Sequence, residues 1–345
     1  MKAIVYTKYG SPDVLQLKEV EKPTPKEDEV LVKVQAVSVN PYEWHHLRGT
    51  PYLMRLMGVG LLKPKHKILG NDVAGRVEAV GRNVKQFQPG DEVFGASGFG
   101  ALAEYVCVTE DKLVLKPAGT TFEEAAAIPI AAVTALQGLR DKGQIQPGQK
   151  VLINGASGGV GTFAVQIAKS FGAVVTGVCS TRNLDMVCSI GADDVIDYTQ
   201  EDFTQNGQRY DLIIDNVGNR SVSDCKRALS PEGICVIIGY SSPVLLFQAM
   251  FLGPLISMTG SKKIGLMGAN INKKDLVFLK ELLEAGKVVP VIDRRYPLSE
   301  VAEALGYYGD GHSRGKVVIT VEHSNRTLQI RRNSNDNPYR RYITT

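Results

Sequence analysis

The sequence predicts an α/β protein of two domains: an antiparallel, barrel-like one, and a doubly wound nucleotide fold with a six-stranded parallel sheet. Three observations carry this. Residues 154–161 read NGASGGVG between an apolar run and an amphipathic stretch. Apolar runs alternate with helical stretches from residue 150 to residue 259, the texture of a parallel sheet. The first third instead shows the period-two alternation of half-buried strands. A chain of 345 residues has room for two domains.

In the first third, VLVKVQAVSV (30–39) alternates with β-branched residues, and GRVEAVG (75–81) and EYVCV (104–108) read the same way. Turn residues in PGDEVFG and GASGFG lie between them. Near Thr121 the texture changes. FEEAAAIPIAAVTALQGL is helical in composition, with Pro129 expected to interrupt it. The buried-strand candidates that follow are Lys150–Asn154, Val174–Cys179, Asp194–Asp197, Leu212–Asp215, Ile234–Ile238 and Leu255–Thr259. Six such strands make a doubly wound sheet. After a helix at Lys274–Ala285 the chain returns to strand in VVPVIDRRYPL and GKVVITV.

The glycine turn carries the first functional signal. Ala156, Gly158 and Gly161 stand at the G-x-G-x-x-G spacing, with alanine first. The first small residue permits a tight turn, Gly158 lets backbone approach a pyrophosphate, and Gly161 lets helix pack on sheet. The amides of Gly158, Gly159 and Val160, with Ser157 beside them, then face a diphosphate at the positive end of a helix dipole. The context of strand before and helix after is the one this motif requires.

The second strand should end in Asp or Glu if NAD is preferred. That place holds Cys179-Ser180-Thr181-Arg182, and Asp185 falls in the next helix. Hydroxyls and a guanidinium suit a 2′-phosphate, so Ser180, Thr181 and Arg182, joined by Tyr198, predict NADPH (NADP+) as the cofactor.

Composition excludes several classes. The tail 323–345 holds Arg326, Arg331, Arg332, Arg340 and Arg341 against Asp336, which accounts for the whole formal charge of +4. The rest is neutral, so no nucleic-acid surface is expected, and the tail reads as disordered or appended to the native chain. Gly233–Ser261 contains no Asp, Glu, Lys or Arg, long enough to span a bilayer. Tyr240-Ser-Ser-Pro243 and Gly253-Pro254 break it into short pieces, read as strand, apolar loop, strand, so no integral membrane segment is expected. Cys107, Cys179, Cys188, Cys225 and Cys235 form no C-x-x-C pair. They read as buried structural thiols, and with no apolar leader after Met1 a cytoplasmic location is expected.

Taken together, VNPYEW (39–44), GNDVAG (70–75), QPGDEVFG (88–95), AAAIPIAAVTALQGL (125–139), NGASGGVGTFAVQIAK, GADDVIDY (191–198) and GKVVITV (315–321) resemble the medium-chain dehydrogenase/reductase superfamily. The resemblance is to its zinc-free, quinone-oxidoreductase-like branch and covers residues 1–322. It implies a GroES-like β-barrel catalytic domain at 1–122, completed by 288–322, and a Rossmann domain at 123–287. It also implies a homodimer, formed here through an edge strand near Ile256–Gly260.

Zinc is not expected. Where zinc alcohol dehydrogenases of the superfamily have a ligand cysteine, this chain has Asn40; their Gly-His-Glu is Gly70-Asn71-Asp72; and their four-cysteine lobe is missing. Catalytic zinc needs three His, Cys or carboxylate ligands. Adjacent His45 and His46 would diverge if that turn is helical. Without a Lewis acid the accessible chemistry is hydride delivery to a quinone or the β-carbon of an enone, with a donor stabilising the charge on oxygen.

By resemblance, Tyr52 or Tyr42 is the candidate proton donor and Asn40 contacts the nicotinamide ribose or the substrate oxygen. Thr134, Asn216, Val217 and Gly239 line the nicotinamide half. Glu43 is expected to form a structural ion pair with Asp72 and Arg48. The loop Tyr240–Leu255, with Leu245, Leu246, Phe247, Met250 and Phe251, reads as a lid for a bulky apolar carbonyl or quinone substrate. Rival readings are a zinc-free alcohol dehydrogenase or carbonyl reductase, an NADPH-binding redox sensor without turnover, and a lipid-surface protein.

Overall fold

The structure, a computed structural model, describes residues 1–50, 52, 55 and 59–323. The tail read as disordered or appended lies outside these residues from Ser324 onward. The N-terminal strands are β1 (Lys2–Val5), β2 (Gln16–Glu19), β3 (Glu29–Val39), β4 (Asp72–Val80), β5 (Glu92–Ala96), β6 (Tyr105–Thr109) and β7 (Leu113–Leu115). A short helix, α1 (Pro41–Arg48), follows β3. It starts at Pro41, whose missing N–H costs nothing there, and ends on Gly49 in the left-handed region.

Helices α2 (Phe122–Ala126) and α3 (Pro129–Gln137) are separated at Pro129, as expected. Then β8 (Lys150–Asn154), α4 (Gly159–Ser170), β9 (Val174–Cys179), α5 (Leu184–Ser189), β10 (Asp194–Asp197), β11 (Tyr210–Asp215), α6 (Val222–Ala228) and β12 (Leu229–Ile237) alternate. The chain continues through α7 (Pro243–Thr259), β13 (Lys263–Leu266), α8 (Lys273–Glu284), β14 (Ile292–Pro297), α9 (Val301–Gly309) and β15 (Lys316–Thr320).

The second sheet runs β10-β9-β8-β11-β12-β13, parallel throughout. Its order reverses beside β8, and such a switch point opens a crevice at the carboxyl ends of the strands. In α4, Ala164, Ile167 and Ala168 are fully buried, as the inward spacing required. The N-terminal domain's main sheet runs β14-β15-β3-β4-β5-β7, with β6 also on β3, and β1 and β2 pair in a separate two-stranded sheet. Residues 292–320 therefore rejoin the first domain, β15 pairing antiparallel with β3.

Three expectations are corrected. The sixth parallel strand is Lys263–Leu266, not Leu255–Thr259, which lies in α7. Ser242 caps that helix through its hydroxyl, which accepts from the Leu245 amide at 3.3 Å, and Pro243 starts it. Leu, Phe, Met and Ala then propagate it past Pro254. An edge strand with one open face tolerates Lys263 and Gly265, so the real strand lacked a continuous apolar signature. The lid loop is consequently a helix. Among the cysteines, only Cys179, Cys225 and Cys235 are buried, while Cys188 is exposed. No helix among the described residues is long and apolar enough to cross a membrane.

Candidate active site

A cleft of about 650 Å³ lies between the domains, walled by the glycine turn on one side and by α1, α9 and β15 on the other. The turn after β8 reverses at Gly155, whose φ of 76° lies in the left-handed region. The tight turn is thus made by Gly155 rather than by Ala156, which is fully buried. A Cβ on Gly161 would lie 2.0 Å from the Gly155 carbonyl oxygen, so only glycine lets α4 approach the turn. A Cβ on Gly158 would meet nothing nearer than 3.5 Å. Ser157, Gly158, Gly159 and Val160 all line the cleft, and the space before Gly158 is open for an anion at the N-terminus of α4.

At the end of β9, Ser180, Arg182 and Tyr198 line the same cleft, and Thr181 does not. The Thr181 hydroxyl donates to Asp197 at 2.5 Å, away from the others. Asn183, which the sequence reading passed over, completes the wall. Its amide donates to both Ser157 Oγ and Ser180 Oγ at 3.1 Å. An Arg182 Nη donates to the His312 carbonyl at 3.0 Å, and Arg182 has no acidic partner among the described residues. His312 and Ser313, from the other domain, also line this end. His312 lies 130 residues along the chain from Arg182, too far for any local motif to signal it.

At the carboxyl ends of β8 and β11, Asn216 and Val217 line the cleft. Asn216 donates to the Asn154 carbonyl at 3.0 Å, and its own Oδ1 is buried without a partner. That orphaned acceptor, the open space at Gly158 and the cation at Arg182 fit a dinucleotide phosphorylated on its adenosine ribose. Gly239 and Thr134 are not on the lining. Thr134 donates to the Ile130 carbonyl at 2.6 Å, and Ala131, one turn earlier on α3, takes the place at the wall.

The floor is polar and almost dry. Ser38, Asn40, Glu43, Asp72 and Lys316 are each no more than 2% exposed. Asp72 accepts from Ser38 Oγ at 2.7 Å, Asn40 Nδ2 at 2.9 Å and the Ile130 amide at 2.9 Å, with Lys316 Nζ at 3.7 Å. The Glu43 carboxylate accepts from the amides of Asn40 at 2.8 Å and Asn71 at 3.0 Å. The expected ion pair of Glu43 with Asp72 and Arg48 is therefore corrected. Arg48 lies 5.0 Å from the Trp44 ring and has no acidic partner among the described residues, and the cation beneath the site is Lys316. Its only local sequence signal is its place in GKVVITV.

Burial first, and the Asp72 charge second, push the Glu43 carboxyl up to about 8 from its ordinary 4.5. Between those values the folded protein holds a proton that the unfolded chain has released. Stability is therefore full below the lower value and is lost as pH rises toward the upper one. The melting temperature is expected to fall between pH 5 and pH 9, and Glu43→Gln, which stays neutral, to flatten that slope. An identical slope in the variant would assign it to other groups.

His45 and His46 diverge, as a helical turn requires. His45 lines the cleft, its ring near-parallel to Tyr240 at 6.1 Å, with Nδ1 buried and unpartnered. His46 turns to Tyr42 and Phe99 instead. No three His, Cys, Asp or Glu side chains among the described residues could share a metal ion. Of the two tyrosine candidates, Tyr42 packs on His46 and Phe99, and Tyr52 is 72% exposed beside Arg55. Neither lines the cleft; the tyrosines that do, besides Tyr198, are Tyr240 and Tyr308. With Trp44 they give its inner half an aromatic wall. The five apolar residues expected on the lid, Leu245, Leu246, Phe247, Met250 and Phe251, are all on α7 and outside the lining.

Residues 26–118 match the alcohol dehydrogenase GroES-like domain family, and residues 190–319 the zinc-binding dehydrogenase family. Over 92% of its length the chain is 37% identical to the 2-methylene-furan-3-one reductase of Solanum lycopersicum, covering 79% of that protein. It is 35% identical, with the same coverage of both, to a chloroplastic NADPH-dependent alkenal/one oxidoreductase of Arabidopsis thaliana. The Escherichia coli quinone oxidoreductase complexed with NADPH superposes with a TM-score of 0.80 at 26% identity, over 93% of this chain and 100% of that one.

Proposed function

This chain belongs to the quinone-oxidoreductase-like branch of the medium-chain dehydrogenase/reductase superfamily, and from that premise we propose that it reduces a quinone or an α,β-unsaturated carbonyl with NADPH, without zinc. The observation that carries the reading is the cleft itself. It joins a diphosphate turn and a cationic ribose end to an aromatic inner half. Bound there, NADPH supplies the hydride. Gly158–Val160 hold its diphosphate, Ser180, Arg182 and Tyr198 its 2′-phosphate, and Asn216 and Val217 the nicotinamide half.

Zinc independence is supported by the donor set. Asp72 is saturated by three donors and Lys316, and His46 is tied to the Tyr42 carbonyl at 2.7 Å. Developing negative charge on the acceptor oxygen must then be met by a hydrogen-bond donor. Tyr240 and Tyr308 are placed for that, and burial raises both hydroxyl pKa values, so each keeps its proton at neutral pH. The aromatic wall suits an apolar, planar acceptor.

The test uses 4R-deuterated NADPH, an α,β-unsaturated ketone and NMR of the product. Deuterium is expected at the β-carbon. Deuterium at the carbonyl carbon would mean carbonyl reduction and remove the conjugate-acceptor reading.

The working form is a homodimer. The exposed face of α7 carries an apolar stripe of Val244, Phe247, Phe251, Leu255 and Met258, and a contiguous exposed apolar patch marks an interaction surface. It flanks β13, the open edge of the parallel sheet. That edge, rather than Ile256–Gly260, is where a second sheet would add. Five free cysteines support a reducing compartment, such as the cytoplasm.

A further inference from the structure

Lys316 is the first residue of β15, and its side chain runs under the cofactor cleft. The residue before it is bound to the glycine turn: Gly315 donates to the Ser157 carbonyl at 2.8 Å and bridges Gly158. A Cβ placed on Gly159 would come within 3.1 Å of Lys316 Cδ, so the lysine stem fills the space beneath the diphosphate turn. Its ammonium emerges on the far side, at Asn40. It donates to Asn40 Oδ1 at 2.5 Å and to the Val39 carbonyl at 3.2 Å.

Asn40 is therefore held at both ends of its amide. Nδ2 donates to Asp72 Oδ2 at 2.9 Å and to the Ser38 carbonyl at 3.2 Å, and Oδ1 accepts from Lys316. Only oxygen can face an ammonium, and only nitrogen can face a carboxylate, so the chemistry admits a single orientation. Both N–H groups are engaged below the floor. Its Oδ1 also faces the Glu43 amide in the capping box that starts α1, so what Asn40 can present to the cleft is an acceptor oxygen and no N–H.

We propose that Lys316 is a positioning residue for Asn40: with Asp72 it fixes the amide as an acceptor toward the cleft, and that acceptor receives a donor on the nicotinamide half of the cofactor, a ribose hydroxyl or the carboxamide N–H. This rests on the cofactor reading above. It also separates two roles that resemblance alone left joined, because an amide without a free N–H does not hold a substrate carbonyl oxygen. That task falls to another donor at the inner wall. A lysine wedged between the diphosphate turn and Asn40 further sets the spacing of the two domains where the nicotinamide must lie.

The test is a double-substitution cycle read in binding, without turnover. Dissociation constants for NADPH and for 2′,5′-ADP, which lacks the nicotinamide half, are measured for the wild type, Lys316→Met, Asn40→Ala and the pair. Each single substitution is expected to weaken NADPH about tenfold and to leave 2′,5′-ADP within about twofold. The double variant is expected to bind no worse than the weaker single, because Lys316 acts through Asn40.

Multiplying effects, or equal weakening of both ligands, would overturn the proposal, the second by showing a general loss of structure. If Lys316→Met does not fold, Lys316→Gln goes through the same cycle; its amide stops one atom short of Asn40. A wild type that binds neither ligand would remove the cofactor reading and this inference together. A wild type that binds both, with Lys316→Met unchanged, would remove the inference alone.

Discussion

Arg182→Ala is expected to weaken NADPH binding by about 10- to 100-fold while leaving NADH within about twofold. The second strand of the parallel sheet ends at Cys179 with no acid after it, so nothing there selects a free ribose hydroxyl. Arg182 is exposed, lines the cleft and faces no acid among the described residues. Among the described residues its one hydrogen bond is to a neutral carbonyl on His312. A 2′-phosphate would give it a charge-assisted partner, and hydrogen bonds to charged groups contribute about 1.5–3 kcal/mol. Because the site is open to solvent, the discrimination should shrink at high ionic strength. Arg182→Lys should keep part of it, since a lysine retains the charge and loses the fork. Isothermal titration with both cofactors decides the matter, and an unchanged ratio in Arg182→Ala would place the 2′-phosphate elsewhere.

The second large effect concerns assembly. Placing aspartates at Phe247 and Phe251 together is expected to halve the mass measured by light scattering. The two rings lie nearly parallel, 6.2 Å apart, and are 58% and 66% exposed. In a monomer they stand in water. Against a second copy they would be buried, and two carboxylates there would carry a desolvation cost no partner could meet. The opposite face of α7 explains why the substitutions should leave the fold intact. Ala249 and Gly253 are buried toward the sheet, Gly253 so close that a Cβ would lie 2.8 Å from the Ile264 carbonyl oxygen. A wild-type protein that already has the monomer mass would refute the dimer.

Much of the cofactor half of the site was legible in the sequence. Gly158 was named from the glycine spacing, Ser180, Arg182 and Tyr198 from strand ends, and Asn216 by resemblance, and all of them line one cleft. They meet there because a parallel sheet sends successive strand ends to one edge, so local position already implies proximity. Where a side chain has a choice of partners, local position was not enough. Thr181 sits between two cleft residues yet turns its hydroxyl to Asp197, and Thr134 satisfies its own on the helix that carries it. The α7 segment misled for a different reason. A run with neither charge nor clear period reads equally as buried strand or as helix, and only packing against β13 and α6 settled it.

By itself, then, the sequence determined the two-domain architecture, the glycine turn and the cationic end without an acid. Those depend on residue types at short spacings, where backbone geometry allows few alternatives. Only the tertiary structure decided what lies under the site. Asn40, Glu43, Asp72 and Lys316 are separated by up to 276 residues, and their partners are set by which strands become neighbours. Burial then makes each pairing obligatory, because a charge or amide held at no more than 2% exposure must find its donor or acceptor within the protein.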